Sequence, residues 1–512
     1  MLLKLSRLAV ASLAVLGLAV LGLAVGAPVV AVAQTTGPAE NGSRPHDWFD
    51  AVRRVIQQTL QDANVPSIAV AVVQDGQIVW EEAFGYSDRE RQIPATAHTP
   101  FSLASMTKPI TATAVMQLQE AGRFDIDAPI ERYLGGLRLS GHAFDADEVT
   151  ARRIMSHSAG LPQYGNFHLD GSAPAGSEQT IRRFGMVVFP PNTRFEYSNI
   201  GMGILDAAIA RTSGLSYGEY LQREVFAPLG MSHSAVGQPV GVEAAVRYDA
   251  DRSPMRMYLT DHPGSGDVWA SAHDMARFLA FHMGTPLPDQ KPVLGMAARL
   301  EMQRPASAYP MPTPPGAPRR DVGANWILTT SNGHPQIWHS GGQPGVSSVM
   351  AFFPEQKLAF VLLANSSAPL GPIGQAIRET FAPELLEQAS EPSPLDPEAI
   401  PFRGRWAGSV TSHAGEQPIR LSFQDGGEIT IQLGAQATTT LVQPAFESGA
   451  FTGRFAGSSN IPEAARAAHN LSLKLVPVEG ELVGQLVAQG LNANAAFMLP
   501  SFVRLRPEGV QP

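Results

Sequence analysis

The sequence predicts an α/β (α+β) chain in two parts. The first is a mixed domain whose antiparallel sheet is formed by both of its chain ends, with flanking helices. The second is an all-β domain. Three observations carry this. Apolar strand runs stand at Ser67–Phe84 and again at Ser347–Leu363, with helical patterns between them. A stretch with three prolines in eight residues follows, Ser390–Pro397. Beyond it, short alternating runs recur to the end of the chain.

Taken in order, the chain opens with Lys4 and Arg7 and then runs apolar from Leu8 to Val25. Gly26-Ala27-Pro28 breaks it and Ala31-Val32-Ala33 follows. Basic start, apolar middle and A-x-A end describe a signal peptide over 1–33, hence an exported, periplasmic or secreted protein. The same stretch is long enough to anchor the chain in a membrane if it is not cleaved. Trp48–Asp62 reads as an amphipathic helix. Ser67–Gln74 and Gln77–Phe84 flank Asp75-Gly76, a hairpin signal. Ser105–Ala121 reads as a helix with Ile110, Ala114 and Leu118 on one face and Gly122 as its stop. Ser347–Phe353 and Leu358–Leu363 read as a second pair of strands. The mixed domain spans 45–388 and the linker 389–400. In the last part, 401–512, Ile419–Phe423, Ile429–Leu433, Leu471–Leu475, Leu482–Val487 and Phe502–Leu505 read as strands of a small barrel or sandwich.

Composition removes several classes of function. The net charge is −9, and the only lysines are Lys4, Lys108, Lys291, Lys357 and Lys474. Nucleic acid is therefore not the expected partner, since phosphate binding needs clustered cations. Cysteine is absent, which excludes disulfides, thiolate catalysis and zinc–cysteine sites. The histidines show no H-E-x-x-H or similar ligand spacing, so neither a metal nor another cofactor is expected.

Three short stretches bear chemistry. Ser105-Met106-Thr107-Lys108 puts a hydroxyl and an amine one turn apart on a helix face, at a helix start that favours negative charge. A lysine kept neutral in a dry pocket can take the serine proton. Tyr197-Ser198-Asn199 offers a proton relay and an amide that both donates and accepts; a turn after Pro190-Pro191-Asn192 is the plainer reading. His339-Ser340-Gly341-Gly342 leads into a strand, where glycines admit close approach of a substrate to the backbone; a glycine-rich turn is the plainer reading there. Two rival signals compete. Gly214-Leu215-Ser216-Tyr217-Gly218 matches a nucleophile elbow, but a helical pattern precedes it where a strand is required, so Ser216 reads as a helix N-cap. His157 is a candidate triad base, with a structural hydrogen bond at a helix start the favoured reading.

Together these stretches resemble the serine β-lactamase and penicillin-binding hydrolases, most of all the class C-like branch with its Tyr-x-Asn second motif. Pro100–Ala104, Met155–Pro162 and Pro228–Met231 support the resemblance, which spans roughly Trp48 to Asn365. It implies a β-lactamase-like domain, and the last domain is similar to lipocalin-like β-barrels appended to some members. It further implies Ser105 as acylated nucleophile, Lys108 as its base, Tyr197 as proton relay, Asn199 as substrate-orienting amide and the Gly342 N–H as an oxyanion donor beside that of Ser105. The expected partner is a small ester, amide or cell-wall peptide. Typical β-lactamases carry Lys-Thr-Gly where this chain has His339-Ser340-Gly341, so a fixed cation is missing. Histidine there points to an esterase or peptidase, with a class C-like β-lactamase or a non-catalytic penicillin-recognition protein as alternatives. At a reference pKa of about 6.5, His339 would regain the charge as pH falls towards 6.

Overall fold

The computed structural model describes residues 49–237, 239, 243–309, 320–386 and 398–509. The N-terminal segment and most of the proline-rich linker lie outside the described residues.

The first domain is built on a nine-stranded antiparallel sheet. Within it, β1 (Ser67–Gln74) pairs on one side with β2 (Gln77–Asp88) and on the other with a strand almost 300 residues further on, Leu358–Ala364, with Ile68 opposite Ala364. The two ends of the domain thus close one sheet. Asp75 and Gly76 both have positive φ, +50° and +75°, as a tight hairpin turn demands. β1 shows no polar alternation because both of its faces are covered. Ile68, Val70 and Val72 pack under α1 (Asp50–Asp62) and the helix Gly371–Phe381, through Val52, Ile56, Ile373 and Ile377. Ala69, Ala71 and Val73 face the opposite, larger core.

That core holds α2 (Thr107–Glu120). Eleven of its fourteen residues are buried, Lys108 and three threonines among them, so it is enclosed nearly all round rather than on one face. It begins two residues later than the sequence suggests: Ala104–Met106 form a 3₁₀ turn, and Ser105 sits in that turn. Gly122, at φ +65°, ends it as expected. Beside α2 lie α3 (Asn199–Ser213) and α4 (Ala272–Met283).

The second domain is a meander of antiparallel strands from Gly404 to Pro507, curled into a near-closed barrel. The alternating runs read from sequence lie within strands Gly415–Phe423, Ile429–Leu433, His469–Val478, Glu481–Leu491 and Ala496–Pro507. Strands at Gly404–Ser412, Val442–Glu447 and Ala450–Ala456 carry no such alternation and were not expected.

The two domains share more than a linker. A short strand of the first, Gly165–Phe167, extends the barrel sheet by pairing with Ala496–Met498. Arg183 pairs with Glu463 at 2.7 Å and Lys474 with Glu196 at 2.7 Å. Among the described residues, no helix is long and apolar enough to cross a membrane.

Candidate active site

Ser105 lies in the 3₁₀ turn that precedes α2, and the residue before it, Ala104, holds φ +48°. A side chain in that conformation is strained. The turn is clamped against the paired strands His334–Gln343 and Val346–Phe353: from the second, Ser348 Oγ donates to the Leu103 carbonyl at 2.7 Å. A Cβ on Gly341 would stand 2.2 Å from that same carbonyl oxygen and 2.3 Å from Ser348 Oγ. Glycine at 341 is therefore required for the close approach of strand and turn.

Lys108 is fully buried one turn beyond Ser105, with Nζ 3.0 Å from Ser105 Oγ and 2.9 Å from the Ser265 carbonyl, to which it donates. Nζ also lies 4.8 Å from the centre of the Tyr197 ring. Burial pushes the amine well below its ordinary pKa. The turn that presents the Ser265 carbonyl is pinned from beneath. Gly264 N–H donates to Asp206 Oδ2 at 2.8 Å, and Thr111 Oγ1 donates to the Gly264 carbonyl at 2.7 Å. A backbone carbonyl leaves no side-chain signature, and sequence reasoning did not find this contact.

Tyr197 Oη donates to Ser105 Oγ at 2.9 Å. Burial raises the phenol above its usual range, so it stays protonated. His157 fixes it from behind. Its carbonyl accepts the Glu196 N–H at 2.6 Å, its Nδ1 accepts the Ser198 N–H at 3.2 Å, and the two rings lie 4.4 Å apart. His157 follows the helix Ala151–Met155 with φ +55°, so it stands at a helix end rather than a helix start. Burial first, and then Lys108 and His339, hold its imidazole well below the usual pKa. Asn199 opens α3, and its side-chain N–H donates to the Tyr164 carbonyl at 2.8 Å. Tyr164 directly precedes the strand shared with the barrel. Its hydroxyl and Asn166 Nδ2 both donate to the buried Asp261, at 2.6 and 2.8 Å.

His339 is buried, and its Nδ1–H donates to the Ser340 carbonyl at 2.6 Å. That bond assigns the proton to Nδ1 and leaves Nε2 an acceptor. Burial and the nearby Lys108 push its pKa down to about 3. The expectation that it becomes a cation near pH 6 is therefore corrected: the ring is too dry to charge there. The backbone beside it is open. Two-residue turns join Ser331 to His334 and Gln343 to Val346, and residues flanking such turns form hydrogen-bonded pairs. Counting from either turn, the peptide groups of Ser340 and Gly342 point away from the strand Val346–Phe353. Pairing on that outer side ends at Trp338, so the Gly342 N–H faces a free edge. Ser216 lies elsewhere, as the N-cap of Tyr217–Leu221 in a reciprocal capping box with Glu219.

A serine hydroxyl between a buried lysine of lowered pKa and a tyrosine, beside an open glycine strand edge, defines the class of serine acyl-transfer sites. The family model described as Beta-lactamase matches residues 52–380, and the chain belongs to that family. Among curated relatives it is 28% identical over 381 residues to penicillin-binding protein 4 of Amycolatopsis lactamdurans, covering 68% of this chain and 93% of the relative. It is 25% identical over 334 residues to penicillin-binding protein 4* of Bacillus subtilis (strain 168), covering 60% and 70%. Among solved structures, SurE with D-Leu aligns with a TM-score of 0.59 at 21% identity, over 89% of this chain and all of that one. A class C beta-lactamase aligns at 0.55 and 21%, over 67% and 98%.

Proposed function

We propose that the protein is an exported serine hydrolase that cleaves an ester or amide through an acyl-enzyme on Ser105, as a carboxylesterase or a D-amino-acid-type peptidase. The observation that carries this is the fully buried Lys108 amine, its pKa pushed well down by burial, 3.0 Å from Ser105 Oγ. In acylation Ser105 Oγ bonds to the substrate carbonyl carbon and its proton passes to Lys108. The oxyanion is held by the N–H groups of Ser105 and Gly342. As the bond to the leaving group breaks, the proton reaches that group through Tyr197, which burial keeps a neutral relay rather than a tyrosinate. Water then attacks the acyl carbon by the reverse path, giving its proton to the Lys108–Tyr197 pair, which returns it to Ser105 Oγ as the acyl–oxygen bond breaks. Asn199 orients the acyl side of the substrate.

Substrate preference rests on His339. A neutral ring with a bare Nε2 offers an acceptor where Lys-Thr-Gly enzymes offer a cation. It favours a substrate donor or a neutral group over a carboxylate. A class C-like β-lactamase is the second reading, supported by family membership. A penicillin-recognition protein without turnover is disfavoured by the intact Ser105–Lys108–Tyr197 contacts.

Short p-nitrophenyl esters, nitrocefin and D-Ala-D-Ala peptides assayed side by side separate these readings. Ester or D-peptide turnover exceeding nitrocefin turnover supports the proposal, and the reverse supports the β-lactamase. Neither turnover nor covalent labelling by a fluorescent penicillin would leave only a binding role. The N-terminal segment is tested by sequencing the mature N-terminus, expected near Gln34.

A further inference from the structure

A second cluster of reactive side chains lies outside the acyl-transfer site. Glu81 on β2, His98 in the turn Thr96–Thr99 and His273 at the start of α4 each offer one ligand atom, and these atoms lie within 4.8 Å of one another. His273 Nδ1 is 2.7 Å from Glu81 Oε2, and His98 Nε2 is 3.7 Å from Glu81 Oε1. A third imidazole stands next to them: the His98 ring is 4.7 Å from that of His273 and 5.1 Å from that of His233. Behind His233 lies the fully buried Asp274. Its Oδ2 accepts the His233 N–H and the Ser234 hydroxyl, both at 2.7 Å, while its buried Oδ1, 3.9 Å from His233 Nδ1, has no hydrogen-bond partner.

We propose that Glu81, His98 and His273 bind a divalent transition metal of the zinc type, with His233 and Asp274 behind them. The donor set is borderline nitrogen and carboxylate oxygen, which suits zinc and its neighbours rather than calcium or magnesium. Three protein ligands plus a water complete a tetrahedron. Ligand atoms around zinc stand about 3.3 Å apart, given metal–ligand bonds of about 2.0–2.1 Å, so side-chain rotation alone closes the remaining gap. The backbone that carries the ligands is already fixed. His273 N–H donates to the Ala97 carbonyl at 3.1 Å, the Thr96 N–H donates to Thr99 Oγ1 at 2.9 Å, and Glu81 is paired with Ala71 in the sheet. Spacing rules for metal sites miss this group because its ligands come from three separate elements.

The position gives the metal a purpose. The His98 turn runs directly through Phe101–Ser102 into the Ser105 turn, and His273 opens a helix of the same core. A bound ion would tie the approach to the nucleophile to β2 and α4.

The test uses the full, tag-free chain. Titration with Zn²⁺ followed by calorimetry should show one equivalent bound per chain. Co²⁺ should give the intense visible bands of a tetrahedral site. Zn²⁺ should also raise the melting temperature. His98→Ala and Glu81→Gln should each weaken Zn²⁺ binding by at least about tenfold with an unchanged circular dichroism spectrum. His334→Ala, which alters another surface histidine–carboxylate pair, should leave binding intact. Absence of saturable binding, or binding that survives both ligand substitutions, overturns the proposal; so does equal loss in His334→Ala.

Discussion

Lys108 shows at the level of one residue how burial sets chemistry. Its amine faces a hydroxyl and a carbonyl, so desolvation wins and the pKa is driven well below its ordinary value. Folding must therefore remove a proton that the unfolded chain would keep up to its ordinary pKa near 10.4. The folded pKa is depressed, so stability rises with pH between the folded and the unfolded value. Lys108→Met lacks this term. Wild type is expected to gain on that variant by up to about 1.4 kcal/mol per pH unit as pH rises towards 10, measured by urea unfolding; a constant difference would mean that the Lys108 pKa is not lowered by folding. Ser105→Ala should abolish penicillin labelling and cut turnover by several orders of magnitude, whereas Ser216→Ala should cost about 1 kcal/mol of stability and less than tenfold in activity. For His339, whose pKa lies at about 3, the ratio of kcat/KM for an anionic β-lactam to that for a neutral ester should stay flat from pH 5.5 to 8. His339→Lys should raise that ratio by about 5- to 150-fold. A wild-type ratio that climbs towards pH 6 would show that the ring charges after all.

At the scale of elements, the strand His334–Gln343 and the Ser105 turn form one device. Gly341 has no room for a methyl group, whereas a Cβ on Gly342 meets nothing within 4 Å. Gly341→Ala should lower kcat/KM by at least about tenfold by pushing the strand from the nucleophile, and Gly342→Ala, which keeps its N–H, should change it little. Equal effects would separate the strand edge from catalysis. This contrast also marks what the sequence makes legible. Ser105 and Lys108 are readable because three residues on a helical path make one turn, and Tyr197 because it stands two residues from Asn199. The Ser265 carbonyl, the bracing by His157 and the dryness around His339 arise from tertiary packing, which no local pattern encodes. For the same reason the hairpin at Asp75-Gly76 and the alternating strands of the barrel are visible, and the strand Gly165–Phe167 is not: three residues show no period.

For the whole molecule, the barrel braces residues that adjoin the candidate site. Lys474 and Arg194 share Glu196, the neighbour of Tyr197, and Arg466 bonds Asn166 across the domain boundary. The proline-rich stretch suggests a separable pair. With these contacts, a chain ended at Glu391 is expected to expose the apolar edge beside Gly165–Phe167, bind a hydrophobic dye and lose at least about tenfold in ester turnover. A truncated chain with full activity would show that the barrel is an accessory.

The pairing of Gly165–Phe167 with Ala496–Met498 also bears on time. The Tyr164 carbonyl that holds Asn199 belongs to a segment whose strand partner lies about 330 residues further along the chain. The ribosome must make that later strand before this part of the site can set. Contacts of such sequence separation slow folding, so hydrolytic competence should trail the gain of helical signal during refolding, and a nascent chain that has not yet reached Ala496–Met498 should be inert.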